Sequence, residues 1–210
     1  MIESWDIFIE TTITYWVGVF ALYIVKPYPI HFFNNVTSTT QSRSPVVSLL
    51  NQMIVHGSLT LLFPQLPQTM NQNMITDIYS VPLAMFTSSA MFYYIHRLFH
   101  IIPYIRKFHL KYHHQWMYVE PIDAFDCHII EHIFLNIVTL FVPALVFDVS
   151  IYSFRIMIHF AIISSLLAHF NWEDTMFTNS FHKIHHLEPN VNFGQGTTLF
   201  DRLHKTWKKK

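Results

Sequence analysis

Five apolar runs constrain this chain more than any other feature: residues 7–25, 46–66, 78–95, 129–147 and 151–170. Each approaches the ~20 residues that carry a helix across a bilayer, where every backbone N–H and C=O must be satisfied within the segment. A chain organised around them is an all-α integral membrane protein with four to five transmembrane helices. The second run is the least regular, because Asn51, Gln52 and His56 interrupt it and Pro64 and Pro67 close it. The first has no basic leader and no small-residue cleavage site, so it reads as a retained helix and not as a signal peptide. Charged residues make up 12% of the chain against 51% hydrophobic, a balance that leans away from a soluble protein. Between the first two runs, "KPYPIHFFNNVTSTTQSRSP" is a loop by its prolines and its Asn, Ser and Thr residues.

Basic residues orient these spans. With the third span ending on the cytosolic side at His96, alternation puts the 26–44 loop, the 97–121 loop and the tail after Phe170 in the cytosol. Twelve of the thirteen Lys and Arg residues then face inward, Arg155 being the exception, as the positive-inside rule expects. The sequon at Asn35 is then cytosolic and unglycosylated. Asp148, Val149 and Ser150 alone separate the last two spans, which therefore form a tight hairpin. That hairpin returns the chain to the face it left, so the histidine-rich stretches on either side of it meet there.

Histidine is the next constraint, with 15 in the chain. Eight fall in three clusters: His96 and His100 in "HRLFH", His109, His113 and His114 in "HLKYHH", and His182, His185 and His186 in "HKIHH". On a helix, residues three or four apart share a face, so each cluster can present two imidazoles to one metal. The doublets add a neighbour turned about 100° away, suited to a second metal. Elsewhere, His31, His56 and His204 read as interfacial residues, and His132 and His159, inside apolar runs, as hydrogen-bonded core residues. The single cysteine, Cys127, excludes an intrachain disulfide and a cysteine-rich zinc site, and it reads as packing.

Imidazole suits zinc, copper, iron and nickel alike, so ligand type alone does not choose the metal. Structural zinc closes with four ligands and catalytic zinc uses three, and eight histidines are too many for one such ion. A dinuclear iron centre that activates dioxygen uses them all. Glu131, Asp174, Glu120 and Asn171 are available to orient the imidazoles from behind.

The order HxxxH, HxxxHH, HxxHH, with a hydrophobic hairpin before the third box, resembles the fatty acid hydroxylase and sterol desaturase superfamily of membrane di-iron oxidases. The tail "HKIHHLEPNVNFGQGTTLFDRL" is most similar to the sterol C-5 desaturase branch, matching at Leu187, Asn190, Asn192, Gly194, Gln195, Thr197, Thr198, Leu199, Asp201, Arg202 and Leu203 as well as the histidines. Trp116, Pro121 and His128 fall in register with that branch; Ile129 replaces a proline and Phe125 stands where a histidine is usual. The resemblance implies two further metal-site histidines, His128 and, at the cytosolic end of the last span, His169. It implies a catalytic domain at 81–210 behind an N-terminal membrane anchor region at 1–80, with a cytosolic histidine-rich cap binding two iron ions. The implied reaction is hydrogen abstraction from an unactivated C–H bond of a lipid with dioxygen and external electrons, C-5 desaturation of a sterol in this branch. Hydroxylation of a fatty acid, sphingoid base or other sterol is the alternative within the superfamily.

No G-x-G-x-x-G nucleotide fingerprint is present, so electrons come from a partner. The resemblance implies cytochrome b5 and its reductase in eukaryotic relatives, drawn to Arg106, Lys107, Lys111, Arg202 and Lys205, and an endoplasmic reticulum location if the host is eukaryotic. The same charges also suit anionic lipid headgroups. Nucleic acid is not an expected partner. Two rival readings remain: an intramembrane zinc protease through His128–His132, "HIIEH", an inverted zinc motif, and a histidine-rich transporter or haem carrier, which would want its histidines through the membrane midplane.

Overall fold

A computed structural model describes residues 4–25, 45–62, 70–116, 119–170 and 180–209. The 26–44 loop with His31 and Asn35, the prolines at 64 and 67, and Asn171 and Asp174 lie outside the described residues. All regular elements among the described residues are helical. In chain order they are α1 (Ser4–Val25), α2 (45–62), α3 (Asp77–Ile101), α4 (Pro103–Tyr112), a 3-10 turn (Pro121–Phe125), α5 (Ile129–Val146), α6 (Ile151–Ala168), α7 (Ser180–Leu187) and α8 (Leu199–Leu203). Two helices contain π-helical turns, Gln52–His56 within α2 and His132–Val138 within α5.

Among the described residues, α1, α5 and α6 are long and apolar enough to cross a membrane. Their outward faces stay apolar, with Phe20 68% and Val146 70% exposed. Such surfaces are stable against lipid tails and costly against water. The 25-residue α3 is longer than any of the three, and it continues past the apolar run to carry His96 and His100 on its last turns. Extended backbone at Ile102 ends it, because Pro103 disfavours a helical residue before it and then starts α4 at its first position.

The sharp hairpin between α5 and α6 turns through Asp148, a non-glycine residue at φ 52°. Asp77, at the start of α3, holds this turn: its carboxylate accepts from the Ser150 N–H at 3.0 Å, from the Ser150 hydroxyl, and from the Ser153 hydroxyl at 2.6 Å. The first turn of α6 thereby gains acceptors for donors that a helix start leaves unpaired. On the other flank, α1 packs along α6. Gly18 permits that approach, since a Cβ there would stand 2.5 Å from Leu166 Cδ1. The ion pair between Arg155 and Glu10 crosses the same interface, with Arg155 Nε 3.1 Å from Glu10 Oε2, and Thr14 Oγ1 lies 2.9 Å from His159 Nδ1. Arg155 is thus neutralised by an acid on the neighbouring helix.

The segment after α4 is pinned from above by α1 and α2. Tyr15 stacks on Phe125 at 4.5 Å and donates its hydroxyl to the Ile122 carbonyl at 2.8 Å. Asn51 Nδ2 donates to the carbonyls of Phe125 and Cys127 at 3.0 and 2.9 Å. Of the polar residues that interrupt the second apolar run, Asn51 therefore satisfies the backbone of a buried connection, while Gln52 accepts from Trp16 Nε1 at 3.0 Å and His56 pairs with His132. Cys127 is buried there, and burial pushes its thiol well above the ordinary range.

Candidate metal centre

The ends of α3, α4, α6 and α7 converge and bring nine histidines together in two groups. His96, His100, His109, His114 and His185 form one; His113, His169, His182 and His186 form the other. Within each, one ring nitrogen per residue lies within 4.8 Å of every other. The groups adjoin, with the rings of His114 and His186 4.6 Å apart.

Each doublet divides between the groups, as the roughly 100° turn between consecutive helical residues requires. His114 and His185 join the first group; His113 and His186 join the second. Three-or-four spacing holds within a group for His96 with His100 and for His182 with His186, but not for His109 with His113. The reason is local: the His114 N–H reaches back to the His109 carbonyl at 3.2 Å, a five-residue, π-type turn that swings His114 over His109.

Backbone carbonyls fix several of these rings. His96 Nδ1 donates to the Phe193 carbonyl at 2.7 Å, His185 Nδ1 to the Val191 carbonyl at 2.7 Å, and His169 Nδ1 to the Ser165 carbonyl at 2.9 Å. Each bond leaves Nε2 as the unprotonated, ligating nitrogen. Glu131 stands behind the second box, its Oε2 2.7 Å from His109 Nδ1 and its Oε1 3.9 Å from His113 Nδ1, without hydrogen-bond geometry to either ring.

What remains is a set of buried nitrogens with no hydrogen-bond partner: both of His100, His114 and His186, Nε2 of His169 and His185, and Nδ1 of His109, His113 and His182. Unpaired polar atoms in such a place are expensive, and a metal ion is the partner that answers several imidazole lone pairs at once. Burial, then the neighbouring imidazoles, holds His114, His182, His185 and His186 well below the ordinary histidine pKa. They are neutral, as ligands must be. The donor set therefore fits a pair of nitrogen-ligated ions.

The other candidates fall elsewhere. His128 joins neither group: its Nδ1 caps α5 by accepting from the Ile130 N–H at 3.3 Å, and its ring lies against Phe108 and Tyr112. His132 turns to His56 and Asn136 while Glu131 turns to His109, so the three polar side chains of "HIIEH" diverge and form no common zinc site. Glu120 accepts from the Tyr23 hydroxyl at 2.6 Å and caps the 3-10 turn, away from the imidazoles. The nine grouped histidines gather where the ends of α3, α4, α6 and α7 meet, unlike a transport path.

The tail "NVNFGQ" is the part whose role was not legible beforehand. Asn192, at φ 55°, donates Nδ2 to the carbonyls of Phe181 and Lys208 at 3.0 and 2.9 Å. The buried Asp201 carboxylate accepts the N–H groups of Phe193 and Gly194, each at 2.8 Å. A Cβ on Gly194 would stand 2.6 Å from the Thr197 carbonyl oxygen and 2.8 Å from Asp201 Oδ2, so only glycine fits. These contacts aim the carbonyls of Val191 and Phe193 at the histidines. The sequence signal was the glycine and the asparagines, residues that tolerate tight turns.

Beside the second group opens a largely apolar cavity of about 750 Å³, within the ~300–1,000 Å³ of small-molecule sites. Phe8, Leu140, Phe154 and Ile162 are among its lining residues, and so are Ser165 and Gln195, joined by a hydrogen bond from the Gln195 amide to the Ser165 hydroxyl. Ser165 also supplies the carbonyl that holds His169, so cavity and histidines share a residue.

The family model described as fatty acid hydroxylase matches residues 81–206. Fatty acid hydroxylase domain-containing protein 2 of Homo sapiens is 32% identical over 127 residues, 59% of this chain and 38% of that protein. The Delta(7)-sterol 5(6)-desaturase of Candida dubliniensis is 25% identical over 136 residues, 63% of this chain and 35% of that protein. The chain thus spans under two fifths of the length of the curated relatives it matches. No solved structure matches it significantly.

Proposed function

The chain belongs to the fatty acid hydroxylase family, and from that premise we propose that it is a membrane oxidoreductase that uses two iron ions and dioxygen to oxidise a lipid, most specifically at C-5 of a sterol. The observation that carries this reading is the pair of buried histidine groups beside an apolar cavity. His96, His100, His109, His114 and His185 would hold one ion, and His113, His169, His182 and His186 the other. Bound there, the irons supply dioxygen activation strong enough to attack an unactivated C–H bond. The chain's own part is to fix ring orientation through the carbonyls of Val191, Phe193 and Ser165, and to keep the reacting carbon in an apolar cavity out of water.

The tail motif and the match to a protein named as a sterol desaturase support the C-5 reading. The match to a protein named for its fatty acid hydroxylase domain supports a hydroxylase reading. In either, residues 81–210 form the catalytic domain and 1–80 an anchor region, in a bundle of four to five spans with the histidines cytosolic, in the endoplasmic reticulum of a eukaryotic host. Cytochrome b5 and its reductase would deliver electrons at the face carrying Arg106, Lys107, Lys111, Arg202 and Lys205.

The test is expression in yeast lacking its own sterol C-5 desaturase, with sterol profiling and metal analysis of the purified chain. Two irons per chain and a C-5 unsaturated sterol are expected. Iron-loaded protein without that product moves the substrate to another lipid. A single zinc, with activity that survives anaerobiosis, overturns the oxidase.

A further inference from the structure

One imidazole borders the cavity, and it belongs to neither metal group. His56 Nε2 lies 3.1 Å from His132 Nε2 with the two rings stacked at 5.2 Å, and His132 Nδ1 lies 2.9 Å from Nδ2 of Asn136, another lining residue. Phe125 packs edge-on against both rings, at 6.4 and 5.0 Å. Both histidines stand on π-helical turns: His56 closes the one in α2 and His132 opens the one in α5. Such turns are rare and cluster at functional sites. Two of them meeting at one polar pair, among apolar helices, is a second reason to read the pair as a site.

The hydrogen-bond chain assigns the protons. An amide NH2 only donates, so His132 Nδ1 accepts from Asn136 and a neutral His132 keeps its proton on Nε2. That proton points at His56 Nε2, which leaves the His56 proton on Nδ1. No residue among those described accepts it. With the Asn136 amide reversed, every role inverts and His56 Nδ1 becomes an acceptor. A hydroxyl, which both donates and accepts, meets His56 in either arrangement; a carboxylate, ketone or ether meets it in only one.

We infer that the cavity binds a lipid bearing a free hydroxyl, and that His56, held in place by His132 and Asn136, is the residue that recognises it. Thr60, Ser88 and Ser89 add polar atoms to the wall, while Phe8, Leu140 and Phe154 accommodate hydrocarbon. The inference rests on the reading of the chain as a lipid oxidase only in taking this cavity as the substrate's.

The experiment measures binding to the full iron-loaded chain in lipid nanodiscs, without electron donor, so that no turnover intrudes. Two matched pairs of radiolabelled probes separate the sources of the hydroxyl: cholestanol against cholestane, and octadecanol against octadecane. Wild type is expected to prefer the hydroxylated member of one pair roughly tenfold, the effect of one hydrogen bond of about 1.4 kcal/mol. Preference in the first pair assigns a sterol; preference in the second assigns a linear lipid. His56→Phe should reduce that preference below twofold with cholestane or octadecane binding and iron content unchanged, and His56→Gln should retain part of it. Equal binding within both pairs by wild type overturns the inference without any variant, as does stronger binding of stearate than of either alcohol, or a full preference kept by His56→Phe. These outcomes are separate from the oxidase reading, whose failure would appear as absent iron and absent product.

Discussion

Replacing Asp201 by alanine removes the support of a ligand without touching one. The carboxylate is fully buried and accepts from the N–H groups of Phe193 and Gly194 and from the Thr206 hydroxyl, all at 2.8 Å. Phe193 in turn offers the carbonyl that holds His96. The variant leaves two buried N–H groups without an acceptor, each costing about 1–3 kcal/mol, so about 2–6 kcal/mol together. That is a large part of the ~5–15 kcal/mol that stabilises an ordinary domain. Loosening a ligand's outer partner typically costs roughly 10–100-fold in metal affinity. Chelator titration of the iron-loaded protein, read beside its thermal transition, should show earlier iron release and a lower midpoint. Asp201→Asn keeps one acceptor and should fall between. Iron retention and melting like wild type in Asp201→Ala would show that the tail does not position His96, and the account of "NVNFGQ" would fail with it.

Three further outcomes test neighbouring claims. His185→Gln should lower iron content, while His128→Gln, at a helix cap outside both groups, should leave iron content near wild type and cost at most about 1 kcal/mol; metal analysis of both distinguishes them. Gly194→Ala should lose iron and folded yield together, because the added methyl meets the Thr197 backbone carbonyl at 2.6 Å; a wild-type melting curve would refute the close approach. Glu10→Leu leaves Arg155, in the second turn of α6, without its carboxylate, at a cost below the about 3 kcal/mol that insertion scales give a lone arginine at a bilayer centre. The double variant Glu10→Leu with Arg155→Leu should recover most of the loss in a denaturation assay, and failure to recover would mean the pair does more than neutralise charge.

The apolar runs made the helices legible because bilayer length and helical rise are fixed quantities. They also made the hairpin legible, since the three residues between the last two runs cannot do more than turn the chain. Less legible was how a helix ends. Nothing in "HLKYHH" announces a π-type turn, and that turn, not the three-or-four spacing, decides that His114 and not His113 stands with His109. Glu131 was legible as an available carboxylate near the boxes. Val191 and Phe193 were not, because they act through their carbonyls, and a backbone group has the same chemistry at every position. His56 and His132 read singly as an interfacial and a core residue; the pair exists only because α2 and α5 bring positions 76 residues apart into contact.

The splitting of both doublets has a thermodynamic consequence. Each histidine group draws on the box at the end of α4 and on α7, so neither group is assembled until the tail has docked on the helix ends. Docking without an ion buries nitrogens of His100, His114 and His186 that nothing else satisfies, at a cost the chain cannot recover from hydrogen bonds. Binding energy that neutral imidazoles give to a metal is then spent on closing the cap, as it is wherever a site is absent from the unfolded chain. With metal held as proposed, occupancy and tail docking would be one equilibrium in this fold. The asparagines, glycine and Asp201 that follow the last histidine box are the residues that set where it lies.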